Sequence, residues 1–330
     1  LVQSKMESVV KSAATAAADE AQTCSGAPAS YGAMQSRGLV AARAAGFEGD
    51  DSEIDIIPGV MLQGASSTTP MTFTPRDRDN EMAQTNAAWV RYTRSEPMSA
   101  LFPDSVFPPT TLTAEAAARK EVYAILSATG ATATVEAGLL GSLLGQLVGI
   151  PGYSLDATNL QSLESTLIGV GDLLSALGVD TVTDLVDEPL LDVLDAVLVL
   201  AGGVTSPVGR IVDDLTGAVG LVGLEAGAVF EVVGQPHSDM ETAFPVYDFV
   251  MSVVMNSARA LNQTSAGLLS LGLDSSQSPL LSGLTQSLSL LGDIDLTLGL
   301  MVDEPPRIVI GPARQDDNGE WLTTVRASDI

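Results

Sequence analysis

The first 24 residues carry apolar side chains at steps of three and four, the spacing of one face of an α-helix. The stretch contains neither Gly nor Pro, and Gly26 and Pro28 follow it. Small residues fill much of the apolar face, which allows close approach to a sheet or to another helix. We expect this helix to pack against helices of other subunits when the protein assembles. The apolar face that would make this contact, here called the assembly face, consists of Val2, Met6, Val9, Val10, Ala13 and Ala17.

The next hundred residues contain mostly turn and strand signals. Residues 25–86 are poor in strand patterns, although 53–64 alternate and predict a strand pair broken at a Pro-Gly step, and 68–75 predict a short edge strand. Residues 86–103 alternate in the manner of a half-buried strand. Residues 110–126 fit a strand by their Thr-rich start and a helix by their Ala-rich middle, and periodicity alone does not decide between the two.

Residues 135–235 are rich in Leu, Val and Gly. Their apolar groups are two or three helical turns long and end near Gly or Pro, which predicts a compact array of short helices. Acidic residues recur just before apolar pairs, where a helix N-cap or first turn favours a negative charge. These residues are Asp172, Asp184, Asp192 and Asp213.

The last third of the chain begins with a strong helical pattern over 239–262. Its apolar stripe consists of Phe249, Val250, Val253, Val254 and Ala258. A loop with a short helix is expected over 263–292. Strands are then predicted near 293–302, 306–311 and 320–327, with a hairpin turn at "QDDNG". Prolines donate no ladder hydrogen bond, so the second of these strands is expected at a sheet edge; its marker residues are Pro305, Pro306, Ile308 and Ile310.

These patterns predict an α+β fold. An N-terminal helix packs on a small, mostly antiparallel sheet, a large Leu- and Gly-rich helical insertion follows, and a C-terminal β-meander joins the sheet. The corresponding regions are 1–126 for the helix and sheet, 127–236 for the insertion, and 237–330 for the last helix, loop and meander. No 18-residue stretch is apolar and uncharged, so we expect any membrane anchor to lie outside this chain or to have been removed.

The net charge of the chain limits the classes of macromolecule that it can bind. The 330 residues include 41 Asp and Glu against 15 Lys and Arg, a formal net charge of -26. Such an acidic protein repels phosphate backbones, so nucleic acid is not expected as a partner. The single Cys, Cys24, cannot form an internal disulfide, and pairing with another chain is the alternative to a plain helix-end residue. The single His, His237, excludes a multi-histidine metal site. Its neighbouring residues predict an exposed polar turn, and a catalytic dyad that uses His237 is the alternative. No catalytic motif stands out, which predicts a non-enzymatic protein.

Oxygen-rich segments leave a calcium site open as the one cofactor possibility. The first candidate set is Asp50, Asp51, Glu53 and Asp55. The second is the "DSSQS" segment with Asp274, Ser276 and Ser278, which fits D-x-S-x-S. The first set lacks the spacing of an EF-hand loop. The residues after the second set predict a loop and a meander rather than the Rossmann-like domain that a D-x-S-x-S metal site requires. Solvated polar loops are the alternative interpretation of both sets.

Three segments in order resemble the TadG-like proteins of the bacterial tight-adherence (Flp) pilus system. They are "KMESVVKSAATAAADEA", "AAWVRYTRSEPMSALFPDSVFPPTTLTAEAAA", and "FPVYDFVMSVVMNSARALNQT" with the later "EPPRIVIGPA". The resemblance implies a pilin-like N-terminal helix and a membrane-anchored protein that faces the periplasm or the exterior. The chain departs from the family pattern at Ser4, Ser8 and Ser12, where Ala and Asn are more usual.

Two functions follow as hypotheses. The first is a non-enzymatic, extracellular structural protein of the bacterial cell surface, pilus-associated or filament-forming, that acts through helix packing and sheet-edge contacts. Its partners would be other protein subunits, copies of itself or pilus components, and the membrane through a segment absent from this chain. The alternative is a Ca²⁺-assisted surface adhesin or ligand-binding module. A hydrolase has no positive support among the residues.

Overall fold

A computed structural model describes most of the chain. The described residues are 2–22, 29–62, 71–96, 109–127, 144–145, 147–148, 155, 157–218, 221–234, 242–264, 269–271, 298–300 and 305–325. They divide into two compact units. Unit 1 consists of Leu1–Val122 and Pro312–Leu322, and unit 2 of Tyr123–Gly311 and Thr323–Ile330. The first break thus falls close to the boundary expected at 126, while the residues on both sides of 236 belong to the same unit.

The described part of unit 1 is built from two helices and an antiparallel sheet. The helices are α1 (Val2–Ala18) and α2 (Tyr31–Ala44), and the strands are β1 (Ile54–Leu62), β2 (Thr72–Pro75), β3 (Ala87–Glu96) and β4 (Thr110–Arg119). The strand order is β2-β1-β3-β4. Short 3₁₀ turns lie at Asp51–Glu53 and Met82–Gln84. The α+β class and the N-terminal helix beside an antiparallel sheet are therefore confirmed.

The core of unit 1 lies between the helices and one face of the sheet. Alternation in β3 is as predicted, because Val90 and Tyr92 are buried while Arg91 is exposed. The Tyr92 ring meets Phe47 edge to face with ring centroids 5.1 Å apart. The small residues of α1 belong to the same cluster, which shows why a helix rich in alanine suits this close packing.

Two features of unit 1 differ from the sequence expectation. Helix α2 lies where turns were expected, and the Ser30 hydroxyl caps it by accepting a hydrogen bond from the Ala33 amide at 3.2 Å. Strand β1 runs unbroken through the Pro-Gly step. The Pro58 carbonyl accepts a hydrogen bond from the Arg76 amide, which lies just past the end of β2. The Pro58 nitrogen faces the same side of β1. Because β2 has already ended there, the missing amide donor of Pro58 costs little of the pairing between the two strands.

The ambiguous segment after residue 110 is a strand. Every residue of β4 is opposite a residue of β3, from Ala87 opposite Arg119 to Glu96 opposite Thr110. Ala114 is buried under α1, and Leu112, Ala116 and Ala118 pack against the same core. Pairing along the whole strand outweighs the helix preference of the alanines, which is a weak term of a few tenths of a kcal/mol per residue.

Unit 2 contains six described helices of at least four residues. They are α3 (Ala157–Ser165), α4 (Val170–Leu177), α5 (Val182–Leu185), α6 (Leu190–Leu200), α7 (Pro207–Thr216) and α8 (Val246–Thr264). The predicted array of short helices is confirmed for the described part of the insertion. Asp172, Asp184 and Asp192 lie in first turns, as expected. Asp213 does not lie in a first turn, because α7 starts earlier, where Ser206 caps it by accepting from the Gly209 amide at 2.8 Å.

Helix α8 is the longest element among the described residues of unit 2. It starts at Val246, later than predicted, because the residues before it form strand β8 (Ala243–Pro245). β8 pairs antiparallel with β6 (Leu167–Gly169). The predicted apolar stripe of α8 is confirmed, since all five of its residues are fully buried. Strands β9 (Leu269–Leu271) and β10 (Leu298–Leu300) form a separate antiparallel pair.

The predicted C-terminal meander is wrong in its pairings. Strand β11 (Ile308–Pro312) does start just after the prolines, but it lies in the middle of a three-stranded sheet, between β5 (Tyr123–Ser127) and β7 (Phe230–Val232). It runs parallel to β7. Residues 315–321 form a turn closed by a bridge between Gln315 and Trp321, so the last predicted strand is not formed within the described residues. A third 3₁₀ turn lies at Ala226–Ala228.

The edge position predicted for the marker residues is therefore corrected. Pro305, Pro306, Ile308 and Ile310 are all buried. The prolines precede the strand, where a missing donor breaks no ladder bond. The strand itself is apolar on both of its faces, which is typical of a strand that is covered on both sides.

Candidate functional site

The assembly face of α1 is buried inside unit 1. Met6, Val9, Val10, Ala13 and Ala17 are at most 3% exposed. They belong to the core that α1 forms with α2, β3 and β4. Val2 alone of the predicted face is exposed. The expectation that this face packs on other subunits is corrected, because the chain's own sheet already occupies it.

The two edges of the unit 1 sheet differ in length and protection. Strand β2 has four residues and ends at Pro75. Strand β4 has ten residues, and its sequence "TTLTAEAAAR" contains no Pro, Gly or Lys. Among the strands that the structure describes, β4 pairs with β3 alone. The second edge of β4, here called the free edge, therefore presents a long row of backbone donors and acceptors without a described ladder partner.

The side chains of β4 leave that edge accessible. On the face away from α1, Thr111, Thr113, Glu115 and Ala117 are exposed. These side chains are small apart from Glu115, whose Oε1 accepts from Arg91 Nε at 2.7 Å. The strand is also locally neutral, with one acid and one base in ten residues, although the whole chain is strongly acidic. The free edge is thus a weakly charged strip on an acidic protein.

An aromatic patch lies beside β4 on the same outer face. The Trp89 ring lies 5.9 Å from Phe73, centroid to centroid. The Arg91 guanidinium stacks over Trp89 at 4.7 Å from the ring centroid, a cation–π contact. Because Arg91 also bonds to Glu115, this contact holds the acid of β4 in place.

A buried ionic cluster fixes the chain where β4 ends. The Glu121 carboxylate is 6% exposed and accepts from Arg119 Nη2 at 2.6 Å and from Arg314 Nε at 2.7 Å. Asn86 Nδ2 donates to the same carboxylate at 2.5 Å. Both carboxylate oxygens are therefore engaged, and no nucleophile is among these partners. The arrangement is suited to holding two distant parts of unit 1 together rather than to acid–base chemistry.

Further polar contacts hold the returning segment 312–322 in unit 1. The Ala313 amide donates to the Val122 carbonyl at 2.8 Å. The Val122 amide in turn donates to Gln22 Oε1 at 2.5 Å. Arg76 forms an ion pair with Asp317. No local sequence pattern identifies these groups, because only their meeting in space makes them a cluster.

The first candidate calcium set does not converge. Asp51 bonds to Arg43 at 2.6 Å and Asp55 bonds to Arg78 at 2.7 Å, so each carboxylate has its own cation. Glu53 Oε2 is buried without a hydrogen-bond partner. The Asp50 carbonyl accepts from the Glu53 amide within a 3₁₀ turn. Within the described residues, no three His, Cys, Asp or Glu side chains form a group that could hold a metal ion.

Several other candidates lie outside the described residues. They are Asp274, Ser276 and Ser278 of the "DSSQS" segment, together with Cys24 and His237. In the part of the chain that the structure describes, every helix is too short or too polar to cross a bilayer.

Two exposed turns use aspartate as a backbone acceptor. Asp316 accepts from the amides of Glu320 at 3.0 Å and Asn318 at 2.8 Å, and these bonds hold the pKa of its carboxyl below the ordinary value of 3.8. Asp77 accepts in the same way from the amides of Asp79 and Asn80, which lower its pKa. Both turns therefore prefer the ionised aspartate.

The Asp316 turn is expected to lose its contribution to stability in acid. Since the pKa is lower in the folded state, the contribution is complete above the unfolded pKa of about 4 and disappears as the pH falls through the folded value. The variant Asp316→Ala should be less stable than the parent at pH 7, and the difference should shrink below about pH 4. Urea unfolding at a series of pH values, followed by Trp fluorescence, measures this. Asp316→Asn, which keeps an acceptor but does not titrate, is the control, and a difference that persists in strong acid would contradict the assignment.

Comparison with protein-family models, with curated proteins and with solved structures finds no match for this chain.

Proposed function

We propose that this chain is a non-enzymatic structural protein of the bacterial cell surface, a TadG-like, pilus-associated or filament-forming subunit. It is exported, and it works by associating with other protein subunits. The observation that carries the proposal is the ten-residue strand β4, whose second edge has no partner among the described strands.

An edge of this kind supports association. An unpaired strand edge is a template for a strand from another chain, and main-chain hydrogen bonds then supply the affinity. Proteins that avoid such pairing shorten the edge strand or place Pro or Lys in it. β2 is protected in this manner and β4 is not, so the proposal assigns association to one side of the sheet.

The route of association differs from the one expected at first. Since α1 is already packed on its own sheet, helix packing is not proposed as the contact between subunits. The free edge of β4 takes its place. Both oxygens of the Glu121 carboxylate already accept hydrogen bonds, which supports a structural role for the largest buried ionic cluster described in unit 1.

Site-specific photo-cross-linking on native cells tests the proposal. A photoreactive side chain replaces Thr113 on the outer face of β4, and the control replaces Gln35 on the exposed face of α2. We expect Thr113 to yield discrete cross-linked protein species at the cell surface, and Gln35 to yield few. Negative-stain electron microscopy of the purified surface fraction then shows whether these species are filaments. Equal yields from both positions, or a protein that stays in the cytoplasm, would reject the proposal.

A further inference from the structure

The free edge of β4 is unusually regular for an edge strand. Its pairing with β3 runs through all ten residues without a bulge. Bulges, prolines, charged residues and very short length are the usual devices that prevent edge-to-edge pairing, and of these β4 has only the two charges Glu115 and Arg119. The strand therefore meets the backbone requirements for continuing the sheet.

We infer that the occupant of the free edge is a second copy of this chain, whose own β4 pairs antiparallel and forms one continuous eight-stranded sheet. This inference rests on the proposed function and names the partner at the same site. The dimer would have a two-fold axis perpendicular to the sheet, so that each copy contributes the same strand, β4, to the interface.

Strand geometry restricts the register of such a dimer. Successive side chains point to opposite faces, and opposite residues in one continuous sheet share a face. The two-fold axis must therefore lie midway between one residue of β4 and the same residue of the other copy, and it is named here as the axis through that residue. An axis through Ala114 or through Glu115 pairs the most residues, and every other choice leaves a longer overhang at one end of the strand.

Charge selects between these two registers. An axis through Glu115 places two carboxylates directly opposite each other, which is destabilising. An axis through Ala114 places Thr113 opposite Glu115, Thr111 opposite Ala117, and Leu112 opposite Ala116. No like charges meet, and Glu115 keeps its bond to Arg91. We therefore assign the axis to Ala114.

The charge of the whole chain makes the dimer depend on salt. Each copy carries a net charge of -26, so two copies repel each other at long range, while the strip that would make contact is nearly neutral. Salt screens this repulsion, which reaches about 30 Å at 0.01 M salt but only about 8 Å at 0.15 M. Dimerisation should therefore strengthen as salt is added. A basic partner strand would show the opposite dependence, since salt weakens attraction between unlike charges.

Sedimentation equilibrium of the purified chain tests the inference. We expect the dimer dissociation constant to fall at least about tenfold between about 0.02 M and 0.5 M NaCl. Hydrogen exchange of the amides in 110–119 should slow as the dimer forms. A chain that remains monomeric at every salt concentration would overturn the inference.

Substitutions at Thr113 test the register. Thr113→Glu places a carboxylate opposite Glu115 of the other copy, twice in each dimer, and should raise the dissociation constant about tenfold. Thr113→Lys should lower it or leave it unchanged. Gln35→Glu and Gln35→Lys make the same changes of net charge on α2 and serve as matched controls. If Thr113→Glu acts no more strongly than Gln35→Glu, the assigned edge and register are wrong.

Failure of this inference can be distinguished from failure of the proposed function. If the purified chain stays monomeric while Thr113 on native cells cross-links to a different protein, the second copy is rejected and association through β4 stands. If neither occurs, both proposals fall. Thermal unfolding of each variant shows whether it is folded, and Thr113 is exposed, so the fold is expected to tolerate both substitutions.

Discussion

Replacing Glu121 by alanine is expected to lower the free energy of unfolding of unit 1 by about 3–5 kcal/mol, because the substitution leaves two buried cations without their counterion. The Arg314 and Arg119 side chains are 10% and 17% exposed. Little water can reach these two guanidinium groups to solvate their charges in place of the carboxylate. Asn86 also loses the acceptor of its 2.5 Å hydrogen bond. The loss thus falls on three groups together.

Trp fluorescence is the appropriate probe for this variant. The chain has two Trp residues, Trp89 and Trp321, and both belong to unit 1. Urea unfolding followed at these residues should show the full loss for Glu121→Ala. Asp55→Ala is the matched control, because it breaks an ion pair with Arg78 whose side chains are about half exposed, and exposed pairs contribute about 0–1 kcal/mol. Similar losses for the two variants would show that the buried cluster is no more important than a surface pair.

The cluster around Glu121 also shows a limit of prediction from sequence. Arg314 and Glu121 are 193 residues apart. Neither residue has a local pattern that points to the other. In contrast, α1, β3 and α8 were predictable because their apolar periodicity appears within one element. The α+β class followed from such local signals, and the ionic cluster did not.

The position of the sheet edge was missed for a related reason. Pro305 and Pro306 show only that two amide donors are lacking near the start of β11. Whether that strand is central depends on β7, which lies about 80 residues earlier and pairs with it in parallel. Conversely, the alanines of β4 favour a helix locally, and only the complete register with β3 identifies it as the strand at the edge. The sequence pattern predicted a sheet edge at β11, whereas among the described strands β11 is central and β4 lies at an edge.

Helix α2 was missed because Gly and Pro precede it and Gly32 lies in its first turn. Its apolar and polar residues do not follow a clear three- and four-residue period. The cap at Ser30 was the available signal. What stabilises the helix is packing of Met34, Gly38 and Ala42 in the core, and an added Cβ at Gly38 would lie 2.6 Å from Ile56 Cδ1. Such close approach is a tertiary property.

Phe249→Ala is expected to lower the free energy of unfolding of unit 2 by about 3–5 kcal/mol, the usual loss when a buried phenylalanine is truncated. Phe249 on α8 meets Phe230 on β7 and Phe244 on β8, with ring centroids 5.8 Å and 6.1 Å apart. All three rings are at most 1% exposed. Removing one leaves a cavity where three elements meet, in addition to the loss of its burial.

Far-UV circular dichroism during urea unfolding measures this effect, because most of the described helices belong to unit 2 while both Trp residues report on unit 1. Phe249→Leu keeps much of the volume and should cost less than about 1.5 kcal/mol. Val199→Ala on α6 is the exposed control, at 71% exposure, and should change stability by no more than about 0.5 kcal/mol. If Phe249→Ala resembled Val199→Ala, the aromatic cluster would not be the centre of this core, and the stability of unit 2 would have to come from the leucines of its short helices.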